Sequence, residues 1–161
     1  MAWAKNGTPH TLTGAGDTIT ISDLTAKKFN VFLSHILQSG AIWTDMRFNN
    51  NSNTVYAQRR STNGGADGTM TSQNLLTQTS WGGSADAFIV NYLCSISGQE
   101  KLAIEFAVSQ NTSGAGTAPE RNELVAKFVP SPDTDVTRVD IVQGSSGDYA
   151  TGSNLTAIGT D

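Results

Sequence analysis

The sequence has few of the residues that most often carry chemistry. Its 161 residues include one cysteine, two histidines and four prolines, and only 15% are charged. A single cysteine, Cys94, excludes an intrachain disulfide, and its apolar neighbours favour a buried, inert thiol. His35 lies in an apolar alternating run, where a buried, hydrogen-bonded imidazole is more common than a catalytic one. No paired carboxylates stand out, and we therefore predict that the chain is not an enzyme and uses no cofactor.

Long apolar runs and clustered positive charge are also absent from the sequence. No run approaches the roughly 18 apolar residues that cross a bilayer, and no secretory signal is visible at the first residues. The net charge is −4, whereas nucleic-acid binding requires clustered lysine and arginine. We expect a protein that is made in the cytoplasm and binds neither membrane nor nucleic acid.

Alternating apolar runs separated by turn residues make up most of the chain. Residues 86–108 alternate twice and predict two antiparallel strands joined near Gly98, and residues 122–129 and 136–142 alternate in the same way. About eight or nine such strands, with no amphipathic helix, predict one all-β domain, a sandwich or a barrel. The expected core residues are Phe88, Val90, Leu102, Ile104, Phe106, Phe128, Val139 and Ile141.

Acidic residues near the C-terminal third are the candidate metal ligands. Asp133 and Asp135, with Asp140 nearby, offer the hard oxygen atoms that calcium prefers. The spacing of an EF-hand is missing, and a solvated acidic turn explains the same residues without a metal.

Aromatic residues offer a second type of site. Trp81 lies in a Gly-rich stretch, and together with Tyr56 and Tyr149 it could form a platform on which a sugar ring stacks. Aromatic residues of β-sandwiches more often lie in the core or in subunit contacts, so both interpretations stay open.

Three features of the sequence favour self-association. The run 29–37 is apolar on both faces and needs a second cover, and the loop expected over residues 61–85 is unusually long. Residues 1–60 carry a charge balance of +3 and residues 61–161 one of −7, which suits contacts between subunits. We predict a homo-oligomer, with Trp3, Phe32, Ile36, Leu75 and Leu76 as interface candidates.

The order of turn motifs along the chain resembles a known group of proteins. The motifs are Arg47-Phe48-Asn49-Asn50, residues 56–66, residues 96–102, residues 114–121 and residues 147–159. This order is similar to small β-sandwich virion structural proteins of tailed bacteriophages and related marine and archaeal viruses. The resemblance covers residues 27–159 and carries no catalytic residue with it.

The resemblance implies a fold and a role. The fold is a single jelly-roll-like antiparallel β-sandwich over residues 27–161, and segment 1–26, which has no counterpart, becomes a candidate docking arm. The role is a virion structural protein, a capsid decoration or a tail or fibre component, made in the host cytoplasm. Its partners would be itself and other virion proteins such as the major capsid protein. The alternative is a carbohydrate-binding module that presents an aromatic platform to a host-surface glycan.

Overall fold

The computed structural model describes residues 2–38, 40, 42–80, 86–110 and 112–161, and this part of the chain is all β, with no helix. Accordingly, none of its elements is a helix that could span a membrane. Thirteen strands occur in the described residues, more than the eight or nine predicted. They are β1 (Ala4–Lys5), β2 (His10–Thr11), β3 (Thr18–Ile21), β4 (Phe29–Ile36), β5 (Trp43–Phe48), β6 (Tyr56–Thr62), β7 (Gly68–Gln73), β8 (Leu76–Ser80), β9 (Ala87–Cys94), β10 (Lys101–Ser109), β11 (Glu120–Phe128), β12 (Val139–Gln143) and β13 (Asn154–Thr160).

The strands pair antiparallel in two sheets. The larger sheet has the order β1-β13-β4-β9-β10-β11-β6-β7, with β2 also paired to β13, and the smaller has the order β3-β12-β5-β8. Four pairings are nested along the chain and alternate between the sheets: β6–β7, β5–β8, β4–β9 and β3–β12. This nesting is that of a jelly roll. The predicted jelly-roll-like sandwich is therefore confirmed, with a three-stranded meander, β9 to β11, in place of one strand.

Residues 2–26 are part of the sandwich. Strand β3 pairs with β12 in the smaller sheet, and β1 and β2 both pair with β13 in the larger one. Ile19, Ile21 and Leu24 are buried in the core. The boundary predicted at residue 26 therefore has no counterpart in the fold, because the alternation of residues 18–21 supplies an edge strand. The docking role of this segment stays a prediction.

Much of the predicted loop over residues 61–85 is strand. A tight turn with positive φ at Asn63 and Gly64 joins β6 to β7, and β8 then crosses to the edge of the smaller sheet beside β5. Gln58 links the two sheets here, because its side chain accepts a hydrogen bond from the Thr77 backbone N–H and donates one to the Thr77 carbonyl. Trp81 lies outside the described residues.

Aromatic side chains fill the space between the sheets. The ring of Phe128 stacks on Tyr56 at a centroid distance of 4.8 Å and contacts Phe48 at 5.6 Å, and Phe48 contacts Phe32 at 6.1 Å. Val139 and Ile141 are also buried, as predicted. The aromatic cluster therefore joins strands of both sheets.

Three interface candidates lie in this core instead of on the surface. Phe32 and Ile36 occupy the face of β4 that points at the smaller sheet, and Leu76 of β8 pairs with Met46. All three are almost completely buried in the chain's own sandwich. Their prediction as subunit contacts is therefore corrected.

Candidate functional site: the outer face of the larger sheet

The larger sheet presents apolar side chains on the side that faces away from the smaller sheet. Five residues expected in the core lie here, because alternation identifies the residues that share a face but not the side on which the core lies. Phe88, Leu102, Ile104 and Phe106 are 47–56% exposed, and Val90 is half-buried. We call this surface the outer face. It consists of Phe29, Val31, Leu33, Phe88, Val90, Tyr92, Cys94, Leu102, Ile104, Phe106, Val108 and Val125, of which Val31 is itself buried.

Strand register makes the outer face continuous. Val31 of β4 lies opposite Tyr92 of β9, Tyr92 lies opposite Ile104 of β10, and Ile104 lies opposite Val125 of β11. A parallel row joins Leu33, Val90 and Phe106 in the same way. Directly opposite side chains in antiparallel strands have Cβ atoms about 5 Å apart, so these rows form a single apolar surface and not scattered residues.

One corner of the outer face is concave. An apolar pocket of about 400 Å³ lies there, lined among others by Trp3, Phe29, Tyr92 and Leu102. Trp3, which precedes β1, is half-exposed, so the interface prediction for this residue stays open. Leu75, the remaining candidate, is half-buried and directly precedes β8.

Charged side chains border the outer face on both sides. On β11 the charged outward residues are Arg121, Glu123 and Lys127, and Arg59 follows on β6. Arg121 pairs with Glu123 at 3.5 Å and Lys127 with Glu100 at 3.0 Å; such exposed pairs contribute little to stability. On the other side, the outward residues of β13 are uncharged, but the exposed Lys5 of β1 lies opposite Ile158. The outer face thus has an apolar centre between two charged borders.

The same strands carry polar residues on the inner side. Glu105 is 1% exposed, and its carboxyl accepts a 2.7 Å hydrogen bond from the Gln78 amide. Burial raises the pKa of Glu105 to about 8, against the opposing effect of Gln78 and the charge of Arg60. Burial likewise raises the pKa of Asp45 to about 6; this residue lies on β5 of the smaller sheet, on the same side as Trp43. Both carboxyls are buried, so neither is open to a substrate.

Lys101 is a second polar group on the inner side of β10. Its ammonium donates 2.8 Å hydrogen bonds to the carbonyls of Ile96 and Gln99 and pairs with Asp133 at 2.6 Å. The side chain is fully buried. Because each donor has a partner, this lysine fixes the turn after β9 and the segment around Asp133.

The three calcium candidates do not form a metal site. Asp133 is held by Lys101, and the Asp140 carboxylate accepts hydrogen bonds of 2.7–2.9 Å from Arg138 and one of 2.7 Å from the Thr20 hydroxyl. The carbonyl of Asp135 accepts from Asn49. Across the described residues no group of three His, Cys, Asp or Glu side chains could hold a metal ion. The acidic residues serve in local hydrogen bonds instead.

The predicted sugar platform is also corrected for two of its three residues. Tyr56 is buried, and its hydroxyl hydrogen-bonds the backbone of Phe48 and Asn51; Tyr149 is completely buried. The alternation of β6 turns Tyr56 toward Phe128, so its ring has no open face. Among the residues that the structure describes, the exposed aromatic ones are Trp3, Trp43, Phe88, Tyr92 and Phe106.

His35 and Cys94 are less buried than predicted, because both lie on the outer face. His35 is exposed at one end of the outer face, because it shares the outward side of β4 with Leu33. Cys94 is half-buried on the same surface. The alternation groups the outward residues of β9 and β10 correctly. It predicts them in the core because the opposite side of β10 carries the polar residues Lys101 and Glu105.

No family model matches the chain, and no curated protein matches it significantly.

Proposed function

We propose that this chain is a structural protein of a virus particle, a capsid decoration or a tail or fibre component, that works through subunit contacts. It would be made in the host cytoplasm and act on the virion, with other virion proteins such as the major capsid protein among its partners. The jelly roll is compatible with this role because viral capsid proteins use it, although lectins and cupins use it as well. Since a fold does not decide a function, the proposal depends on the surface.

The uncovered outer face is the observation that carries the proposal. Monomeric soluble proteins rarely expose a contiguous apolar patch larger than a few hundred Å², and larger patches mark interaction sites. This face offers an apolar centre across four neighbouring strands, and the carboxyls with raised pKa, Asp45 and Glu105, are both buried elsewhere in the chain. Such an arrangement favours a protein that assembles over one that catalyses.

A carbohydrate-binding module remains the second candidate. Phe88, Tyr92 and Phe106 are exposed on one sheet face, as an aromatic platform requires. Sugar recognition also needs hydrogen-bonding groups beside the rings, whereas the neighbours of Tyr92 across the strands are Val31 and Ile104. The aliphatic surroundings favour a protein contact over a glycan.

The proposal is tested on purified particles of the virus that encodes this chain. Quantitative mass spectrometry of purified particles should find this chain in many copies per particle. Washing at high salt should leave it bound, because apolar contacts are not screened by ions. A chain found only in the free lysate, or one that binds a glycan array and loses that binding in Tyr92→Ala, would favour the alternative.

A further inference from the structure

We infer that the outer face of the larger sheet is covered by the same face of a second copy of this chain. This inference rests on the proposed function, since it names the partner of the surface that carries it. The two copies would form an isologous dimer, in which each subunit contributes the same patch.

The exposed apolar area matches what a stable dimer buries. Aromatic side chains bury roughly 150–250 Å² each, so half-exposed Phe88, Tyr92 and Phe106 each present on the order of 100 Å². Together with Leu102, Ile104, Val108, Val125 and the adjoining half-buried residues, the outer face presents on the order of 600–800 Å². A standard interface covers about 800 Å² on each partner.

The composition of the outer face is that of a permanent homodimer contact. Its twelve residues include no charged side chain, and homodimer interfaces are more apolar, and poorer in charge at their centre, than transient ones. A partner must offer an equally flat and apolar surface, and a second copy of this chain does so. The pocket beside Trp3 and Tyr92 gives this flat surface a cavity that a partner side chain can fill.

The apolar rows favour one orientation of the two copies. Packed sheets lie about 10 Å apart with strands within about 30° of each other. A two-fold axis along β9 places Ile104 of one copy over Val31 of the other, and Val125 over Ile158, so that the apolar rows of the two copies coincide.

Two matched variants test the contact. Ile104, at the centre of the outer face, and Trp43, on the smaller sheet, have the same exposed fraction, 49%. The wild-type chain and Trp43→Lys should be dimers by light scattering at micromolar concentration. Ile104→Lys should be a folded monomer by circular dichroism, with dimer affinity reduced at least 100-fold. A wild-type monomer at this concentration, or an unchanged Ile104→Lys dimer, overturns the inference.

The single cysteine gives a measurement that does not depend on a destabilising variant. With the axis along β9, the two Cys94 thiols lie at the same height and face each other. A short bis-maleimide should therefore join the wild-type chain into a product of twice its 17.0 kDa mass. Cys94→Ser, and wild type diluted below the dissociation constant, should give none. No joined product at a concentration where light scattering shows a dimer contradicts the axis along β9.

The two proposals fail in different ways. A chain that is monomeric in solution but present in many copies on particles overturns the dimer and leaves the virion role standing. A cross-linked dimer that is absent from particles keeps the dimer and removes the virion role. Binding of the monomer to lipid vesicles through the outer face would overturn the dimer in favour of a lipid surface.

Discussion

The two faces of β10 reverse the usual relation between polarity and burial. Its inner side, covered by the smaller sheet, carries Lys101, Glu105 and Ser109, with Ala103 and Ala107 between them. Its outer side carries Leu102, Ile104, Phe106 and Val108, all of which remain exposed in the single chain. Within one chain, the more apolar face of this strand is thus the less buried one. The comparison teaches that an alternating pattern shows which residues of a strand share a face, but not which of its two faces the chain itself covers.

The large apolar side chains of the core therefore come from other strands. Phe32, Phe48, Tyr56 and Phe128 form the aromatic contacts between the sheets, whereas β10 contributes mainly small and polar side chains. Removing a core ring and removing an outer ring should therefore have very different effects on the isolated chain.

The largest expected effect is that of Phe128→Ala. This ring contacts both Tyr56 and Phe48 in the closed core, so its removal should lower the free energy of unfolding by about 3–5 kcal/mol. Urea denaturation at low protein concentration measures the change. A loss below about 1 kcal/mol would mean that the core is not where the aromatic cluster lies.

Next in size is the pH dependence that Glu105 introduces. Its pKa is about 8 in the folded chain and 4.5 as the ordinary value, so the folded state keeps a proton that the unfolded state releases. Stability is therefore unaffected by this group below about pH 4.5, falls as the pH rises toward 8, and levels off above it.

Glu105→Gln should remove this loss. The variant should match the wild type near pH 4 and exceed it by about 2–4 kcal/mol at pH 8.5, as measured by urea midpoints across this range. Comparing variant with wild type separates Glu105 from Asp45, whose raised pKa acts in the same direction. A constant difference at every pH would show that the carboxyl is not protonated in the folded chain.

A somewhat smaller effect is expected for Lys101→Met. The substitution keeps the aliphatic part but leaves Asp133 and two carbonyls without their donor, which should cost about 2–3 kcal/mol. Lys127→Met is the control, because its pair with Glu100 is exposed on both sides and should change stability by less than about 0.5 kcal/mol. Thermal unfolding of the two variants side by side checks the difference; equal effects would contradict the burial of Lys101.

The smallest effect on the isolated chain should come from Phe106→Ala. Half of this ring is already in solvent, so the monomer should lose about 1 kcal/mol or less, while the affinity between copies should fall at least tenfold. Urea denaturation below, and light scattering above, the dissociation constant separate the two quantities. A loss of 3 kcal/mol or more in the monomer would place Phe106 in the core after all.

Sequence patterns sufficed for the fold class and for individual strands. The hairpin over residues 86–108 exists as β9 and β10, with Leu102 opposite Cys94, because apolar and polar residues contrast clearly there. Strand β7 was missed because Met70 is its only large apolar residue, so no period is visible. Its pairing with β6 is determined by tertiary context.

The sequence identifies which residues of each strand share a face, but it predicted the wrong face as the one that points to the core. The run at 29–37 is apolar on both faces, yet the residues that the chain itself leaves partly exposed are Phe29 and Leu33 and not Phe32 and Ile36. No property of one strand alone separates these sets, since both are apolar. The orientation is decided by the neighbours across β9 and by the position of the smaller sheet.

The nested pairing of the strands also has a consequence for the order of folding. The β6–β7 hairpin joins residues close in sequence, while the Thr20 hydroxyl and the Asp140 carboxylate, in β3 and β12, are 120 residues apart. Closing such a long loop directly is slow, because the chain must lose conformational entropy before the contacts form. If each inner pair forms first, the ends of the next pair are already close together, and the chain can close by a series of short steps. The pairing of β13 with β1 and β2, which encloses all four nested pairs, would then form last.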